Sequence, residues 1–184
     1  MKKTAAIYFA MAAAAIAGDG TSLSGRFMIW PQWAYSKTAG VATVTAGFPQ
    51  QLVNYSTTDG TNDYQMTALV VRTIELSGLS TNTVNLLTET NAFGDAVVFS
   101  RVNLLCAASR TNSSGDVLMG GAAVGPFVDI FGDVDAALAK IRPGGSVVFA
   151  APVGGYVPGS GVLQFVTDST NAATVDIYIG GVAE

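Results

Sequence analysis

From Met66 to the C-terminus, apolar residues of this chain tend to occupy every second position, and Gly, Asn, Asp, Ser or Pro closes each run. A period of two is typical of strands with one buried and one wet face. We expect strands near 66–77, 83–88, 97–108, 115–119, 127–131, 146–151, 161–167 and 173–180. These strands predict an all-β fold, an antiparallel β-sandwich of the jelly-roll type.

The same alternation predicts the core. In the run around 97–108, Arg101 and Asn103 fall on the wet face, opposite a row of apolar residues. The core positions that we expect are Val98, Val102, Leu104, Cys106, Leu118, Val147, Phe149, Leu163, Phe165, Val175, Ile177 and Ile179.

Three connecting segments carry local signals. Arg142-Pro143-Gly144-Gly145 predicts a type II turn, because proline fixes one φ and glycine accepts the positive one. Residues 134–140 have room for one or two helical turns. A short strand is expected at 41–46, and a polar loop at 56–63. Oxygen-bearing residues alternate in that loop as in a calcium site, but the bidentate acid is missing, so we predict a plain turn and no metal.

The N-terminal segment is a separate problem. Lys2 and Lys3 precede an Ala-rich apolar run that ends at Ala17, which is typical of a secretory leader. The run is too short to predict a stable membrane span. We expect an uncleaved Ala-rich arm or helix, with cleavage of a leader at 1–17 as the alternative. The domains are then an arm and linker over 1–35 and a β-sandwich over 36–184.

The arm contains the most apolar surface of the chain. Both tryptophans flank Pro31, which predicts an edge strand or a packed extended segment because proline cannot donate to a ladder. Two tryptophans can form a sugar-binding platform, but core closure or subunit contact is the commoner use. The interface candidates are Ile7, Phe9, Phe27, Trp30, Trp33 and Tyr35. We expect the arm to dock on an adjacent copy.

Composition favours contact with other protein. The chain is 49% hydrophobic and 12% charged, so Ser, Thr, Asn and Gln must cover much of the surface. The net charge of −4 divides into +3 over residues 1–40 and −7 over the rest, which favours attraction between copies. No cluster of Lys and Arg with interleaved aromatics occurs, so a nucleic-acid partner is not expected.

The residues also argue against catalysis. The chain has no histidine and a single cysteine, Cys106, so a Cys-His pair cannot form. Gly120-Gly121 and Gly154-Gly155 precede no helix and no P-loop lysine, and we interpret them as turns. We expect no enzyme activity, no cofactor and no metal.

Under half of the chain, within residues 93–180, resembles small virion structural proteins of tailed bacteriophages. The resemblance lies in four stretches, 93–102, 114–123, 141–152 and 175–180. It implies a β-sandwich structural subunit with no catalytic residues to transfer. We therefore expect a non-enzymatic capsid, decoration or tail-associated protein in the virion, which assembles with itself and with other virion proteins. The alternative is a secreted lectin-like or adhesive β-sandwich binding module.

Overall fold

The structure is a computed structural model. It describes the backbone of residues 4–16, 22–39, 42–47, 53–91, 94–122, 124–132, 138–167 and 169–184, and side chains from Thr57 onward within those ranges. The chain divides into two compact units, residues 1–58 and 59–184. The sequence suggested a boundary at 35, but one strand runs unbroken through that position.

The first unit is an antiparallel sheet. Its central strand pairs on one side with the N-terminal strand, from Thr4 opposite Ala34 to Ile16 opposite Ser22. On the other side it pairs through Gly25–Ile29 with the fourth strand and through Ala34–Ala39 with the third. The strands are β1 (Thr4–Ile16), β2 (Ser22–Ala39), β3 (Ala42–Gly47) and β4 (Val53–Asp59).

The Ala-rich segment, for which we expected an arm or helix, is strand β1 and not a helix. The helix preference of alanine is worth only a few tenths of a kcal/mol per residue relative to other straight-chain residues. Pairing with β2 supplies a ladder along the whole of β1. Tertiary pairing thus outweighs a weak local preference.

Strand β2 is central, so the prediction of an edge strand around Pro31 is wrong. Proline nevertheless limits the pairing of β2 around position 31. Among the described residues, positions 30–33 of β2 pair with β1 but with neither β3 nor β4. The second ladder is therefore interrupted at the residue that has no N–H to donate.

The second unit contains eleven strands and one helical turn among its described residues. They are β5 (Gln65–Met66), β6 (Ala68–Leu76), β7 (Thr81–Asn85), β8 (Glu89–Thr90), β9 (Ala96–Val97), β10 (Phe99–Ser109), β11 (Val117–Gly121), α1 (Val128–Phe131), β12 (Leu138–Ile141), β13 (Ser146–Ala150), β14 (Val162–Thr167) and β15 (Ala173–Ala183).

Eight of these strands form two antiparallel four-stranded sheets. The first sandwich sheet has the order β13-β10-β15-β6, and the second has the order β12-β11-β14-β7. Along the chain, the first of these eight strands pairs with the last, β6 with β15, and the second pairs with the seventh, β7 with β14. The third pairs with the sixth, β10 with β13, and the fourth pairs with the fifth, β11 with β12. This is the pairing of one long hairpin folded across two sheets.

The two sheets share one hydrophobic core. The first sheet contributes Val70, Ile74 and Ile177, and the second contributes Met119 and Phe165, all of which are buried in the same cluster. The antiparallel β-sandwich predicted from the sequence is thereby confirmed. Most expected core residues are buried, and Val147 and Phe149 pack against the cluster while remaining partly exposed.

The predicted face of β10 is wrong in part. Val98 is 40% exposed, and Leu104 and Cys106 are buried but lie outside the core cluster. The β10–β15 register shifts twice, between Phe99 and Arg101 and between Val102 and Leu104. Each shift inverts the alternation. The core therefore receives Phe99, Val102, Leu105 and Ala107 from this strand.

Three other expectations need correction. Leu118 is half-buried because Val117 and Met119 point inward on β11. The strand predicted at 127–131 is the single turn α1, which follows the buried Phe127. The helical turns predicted at 134–140 end in strand β12, and residues 133–137 lie outside the described residues.

The proline-glycine turn after β12 is confirmed. Gly144 has φ 74°, and the Gly145 N–H donates to the Arg142 carbonyl at 2.7 Å. This is the geometry that Pro143 and a positive-φ glycine produce in a type II turn.

We predict that Ile177→Asp destabilises the protein by several kcal/mol, because Ile177 is fully buried and the carboxylate would lack a partner. Val71→Asp is the matched control, since Val71 lies on the same sheet and is 46% exposed. Urea unfolding should give a change within about 0.5 kcal/mol for the control. Equal stabilities of Ile177→Asp and the parent would contradict the register of β15.

Candidate interaction surface at the long-loop end

The antiparallel topology places the connections of the sandwich at two ends. One end has the turns at 77–80, 110–116, 142–145 and 169–172, and we call it the short-turn end. The other has residues 59–67, 86–91, 94–98, 122, 124–132, 138, 151–161 and 184, and we call it the long-loop end. Loops carried by a rigid sandwich are common positions for binding residues.

An arginine on β10 fixes the first loop of this end. The Arg101 Nη2 group donates to the carbonyls of Thr61 and Asn62, at 2.9 Å each. Its Nη1 lies 4.0 Å from Asp63 Oδ1, which accepts the Gly154 N–H at 3.1 Å. We call the segment Thr61–Gln65 the clamped turn. One nitrogen of the guanidinium thus makes both hydrogen bonds, and the planar group places its other terminal nitrogen near Asp63 at the same time.

The clamped turn is also tied to the loop at 151–156. The Tyr64 N–H donates to the Pro152 carbonyl at 2.8 Å, and the Val102 and Tyr156 backbones exchange hydrogen bonds of 2.8 and 2.7 Å. Gly155 has no side chain, and a Cβ there would overlap the Arg101 side chain. The close approach of this loop to Arg101 therefore depends on glycine.

The remaining loops of this end are joined by hydrogen bonds. The Val157 N–H donates to Asp129 Oδ2 at 2.7 Å, and the Leu86 N–H donates to the Gly161 carbonyl at 2.9 Å. Ring contact between Phe131 and Phe149, with centroids 5.5 Å apart and edge to face, ties α1 to the first sandwich sheet. Hydrogen bonds and one ring contact thus connect the loops of the long-loop end to one another and to the first sandwich sheet.

Exposed apolar side chains concentrate at this end. Seven of the nine large apolar side chains that are exposed among the described residues lie there, and Val124 is the most exposed at 85%. They are Tyr64, Val98, Val124, Val128, Leu138, Val153 and Val157. Single exposed apolar residues are ordinary, but such a concentration is typical of a contact surface.

Charge divides between the two ends. The long-loop end exposes Asp59, Asp63, Asp95, Asp129 and Glu184. The exposed basic residues of the sandwich, Arg110, Lys140 and Arg142, lie at the short-turn end, where Glu75 is exposed as well. Two of the three are paired there, Arg110 with Asp176 at 2.8 Å and Lys140 with Asp116 at 3.1 Å. The long-loop end is therefore the acidic end.

A groove of about 410 Å³ lies beside the Arg101 side chain. It is lined by Thr61, Ser100, Arg101, Val182, Ala183 and Glu184. The described residues include no group of three or more His, Cys, Asp or Glu side chains placed to hold a metal ion.

Two ionisable groups on the first sandwich sheet have shifted pKa values. The hydrogen bonds from Arg110 lower the pKa of Asp176 below its usual 3.8, although partial burial opposes the change. Burial raises the pKa of the Cys106 thiol to about 11. Cys106 is therefore a protonated, buried side chain at neutral pH, as expected from the sequence.

The sequence-predicted interface candidates all lie in the first unit. In the register of β1 and β2, Ile7 is opposite Pro31 and Phe9 is opposite Ile29. Ile7 and Phe9 lie on β1, and Phe27, Trp30, Trp33 and Tyr35 lie on β2, so the ladder between these two strands brings the six positions into one sheet.

Sequence reasoning missed the long-loop end. Val153 and Val157 stand among glycines and prolines, where no strand pattern marks them, and Tyr64 follows a polar loop. The clamp by Arg101 depends on a contact 40 residues away in the chain. The one available signal was the length of the segments between predicted strands.

Comparison of the chain with family models, with curated proteins and with solved structures finds no match. Within the part of the chain that the structure describes, no helix is long and apolar enough to cross a membrane.

We predict that Arg101→Lys loosens the clamped turn, because one ammonium nitrogen cannot replace both Nη2, which donates to the two carbonyls, and Nη1, which lies near Asp63. The cost should be roughly 0.5–1.5 kcal/mol, the net range for a hydrogen bond, since the residues of both accepting carbonyls are exposed to water. Hydrogen exchange at Tyr64 and Gln65 should speed up. Arg142→Lys, at an exposed arginine, is the control, and equal exchange in both variants would contradict the clamp.

We predict a pH-dependent contribution from Asp176. Its pKa is lowered in the folded state, so it stabilises the fold above the unfolded value of 3.8 and loses this effect as the pH falls through the lowered pKa. At pH 7, Asp176→Asn should melt below the parent, and the difference should vanish in strong acid. Asp59→Asn, at the long-loop end, is the control. A difference that grows below pH 3.8 would contradict the assignment.

Proposed function

We propose that this chain is a non-enzymatic structural subunit that assembles with itself, as a capsid, decoration or tail-associated protein of a bacteriophage particle. The observation that carries the proposal is the concentration of seven exposed apolar side chains at one end of the sandwich. Apolar surface of this kind is stabilised when a partner covers it. The partners that we propose are further copies and other virion proteins.

The state of the loops supports assembly over a flexible adhesive role. Hydrogen bonds from Arg101, Tyr64 and Gly154 hold the first loop before any partner arrives. A surface that is ordered in advance loses little conformational entropy on binding. Structural subunits, which bind the same partner repeatedly, benefit from such pre-organisation.

We infer that the sandwich is a jelly roll. The first-with-eighth to fourth-with-fifth pairing is what a jelly roll produces. Viral capsid proteins and lectins both use this architecture. The inference therefore agrees with the virion proposal and with its alternative, and it does not choose between them.

The alternative is a secreted lectin-like or adhesive binding module. The observation in its favour is the groove beside Arg101, which offers polar groups at the end where jelly-roll loops gather. Binding of a glycan that is lost in Ser100→Val would support this alternative. Flanking portal, capsid or tail genes would support the virion proposal, and flanking export genes would contradict it.

We predict that the full chain forms oligomers that depend on the long-loop end. Val124→Ser, Val153→Ser and Val157→Ser combined should weaken association by about tenfold or more, because each removes exposed apolar area from the surface. Analytical ultracentrifugation over a range of concentrations measures the effect.

The control is Val71→Ser, at an exposed position on the sheet face and away from both ends. It should associate like the parent. A parent chain that stays monomeric at all concentrations would refute the proposed function.

A further inference from the structure

We propose that copies of this chain associate head to tail, with Leu79 at the short-turn end of one copy packing against the apolar surface of the long-loop end of the next. This inference rests on the proposed function and names the surfaces through which it would act. Three observations support it. Tyr64 and Leu79 both have positive φ, the two ends of the sandwich differ in charge, and hydrogen bonds hold the turns that contain these two residues.

Two residues other than glycine have positive φ among the described residues: Tyr64 at 59° and Leu79 at 55°. This left-handed region favours Gly, Asn and Asp, and a leucine there is unusual. Both side chains are also exposed, Tyr64 at 49% and Leu79 at 69%. An asparagine would suit both backbones, so the conformation of these turns does not itself require apolar side chains.

The two residues lie at opposite ends of the sandwich. Tyr64 belongs to the clamped turn of the long-loop end, together with Val153 and Val157. Leu79 belongs to the turn between β6 and β7 and is the only exposed large apolar side chain at the short-turn end among the described residues. A surface at one end and a protruding side chain at the other suit a heterologous contact.

The turn that carries Leu79 is held as firmly as the clamped turn. The Leu79 N–H donates to the Ser169 carbonyl at 2.8 Å. Gly78 packs so closely against the Thr170 backbone that a Cβ there would overlap it. Both partners in the proposed contact are therefore positioned before association, which lowers its entropic cost.

Charge favours the short-turn end of a second copy as the occupant. Two long-loop ends facing each other would bring together ten exposed carboxylates, five from each copy. The short-turn end is close to neutral, because Arg110 and Lys140 are each paired with an aspartate and Glu75 is exposed at the same end as Arg142. No ion pair of Arg142 occurs within the described residues, so its charge is available to an acidic partner. Repulsion between carboxylates therefore disfavours the symmetric arrangement, and Arg142 favours the head-to-tail one.

The arrangement has a structural consequence. A head-to-tail contact leaves one free end of each kind on every oligomer, so it propagates into a ring if the rotation closes and into a filament if it does not. Its strength should fall as salt screens the attraction between the ends. A symmetric contact between two acidic ends would strengthen with salt.

The test uses two single variants of the full chain, Leu79→Asn and Tyr64→Asn. Asparagine accepts the left-handed backbone, so both variants should fold and melt no lower than the parent. Each variant alone should lose association by about tenfold or more, because one end of every copy is disabled. Val71→Thr is the control and should associate like the parent.

An equimolar mixture of the two variants gives the decisive result. The intact Leu79 of one variant can dock on the intact Tyr64 surface of the other, so ultracentrifugation should show a 1:1 heterodimer and nothing longer. A Leu79→Asn variant that associates like the parent would overturn the inference, as would a mixture that stays monomeric. A monomeric parent would defeat the proposed function itself, whereas an assembling parent with two assembling variants would defeat only this inference.

Discussion

Strand β10 has hydrogen-bonded partners along both edges, and its register determines much of the sandwich. It pairs with β13 on one side and with β15 on the other. The two register shifts against β15 send Phe99 and Val102 into the core, and Arg101 lies where it can clamp a loop. A bulge that redirects one side chain is a recognised way of building a site at a sheet end. The same strand thus supplies the core and the support for the long-loop end.

The asymmetry between the two ends follows from the topology. A long hairpin folded across two sheets places alternate connections at opposite ends. Here the connections at one end are tight turns such as Arg142–Gly145, and those at the other end are longer loops. Apolar and acidic side chains collect on the longer loops, and the exposed basic side chains lie at the other end. The two ends of the sandwich are therefore unlike, which is the property on which the proposed head-to-tail assembly rests.

The sequence predicted the fold class and most strands of the sandwich, because a period of two survives wherever one face is buried. The last strand, with Val175, Ile177 and Ile179 all buried, is the clearest example. The sequence did not predict which face of β10 points into the core, because the register shifts against β15 invert the alternation and no sequence motif indicates them. Nor did it predict β1, since the helix preference of alanine is weak and pairing with β2 is a long-range effect.

The sequence did not predict the surface at the long-loop end for a related reason. The predicted interface candidates lie where apolar residues are dense in the sequence, in residues 7–35, and all six belong to β1 and β2 of the first unit. The long-loop end instead gathers single apolar residues from four segments that are far apart in the chain. Such a surface exists only once the pairing is known. The positive φ of Tyr64 and Leu79 likewise has no signature in the sequence.

Hydrogen–deuterium exchange of the full chain, measured when dilute and when concentrated enough to associate, tests the central claim most directly. Association should slow exchange at 61–65, at 151–157 and at 77–80, and should leave the strands of the first sandwich sheet unchanged. Slowing confined to the exposed sheet positions around Val71, with both ends unchanged, would contradict assembly through the ends of the sandwich.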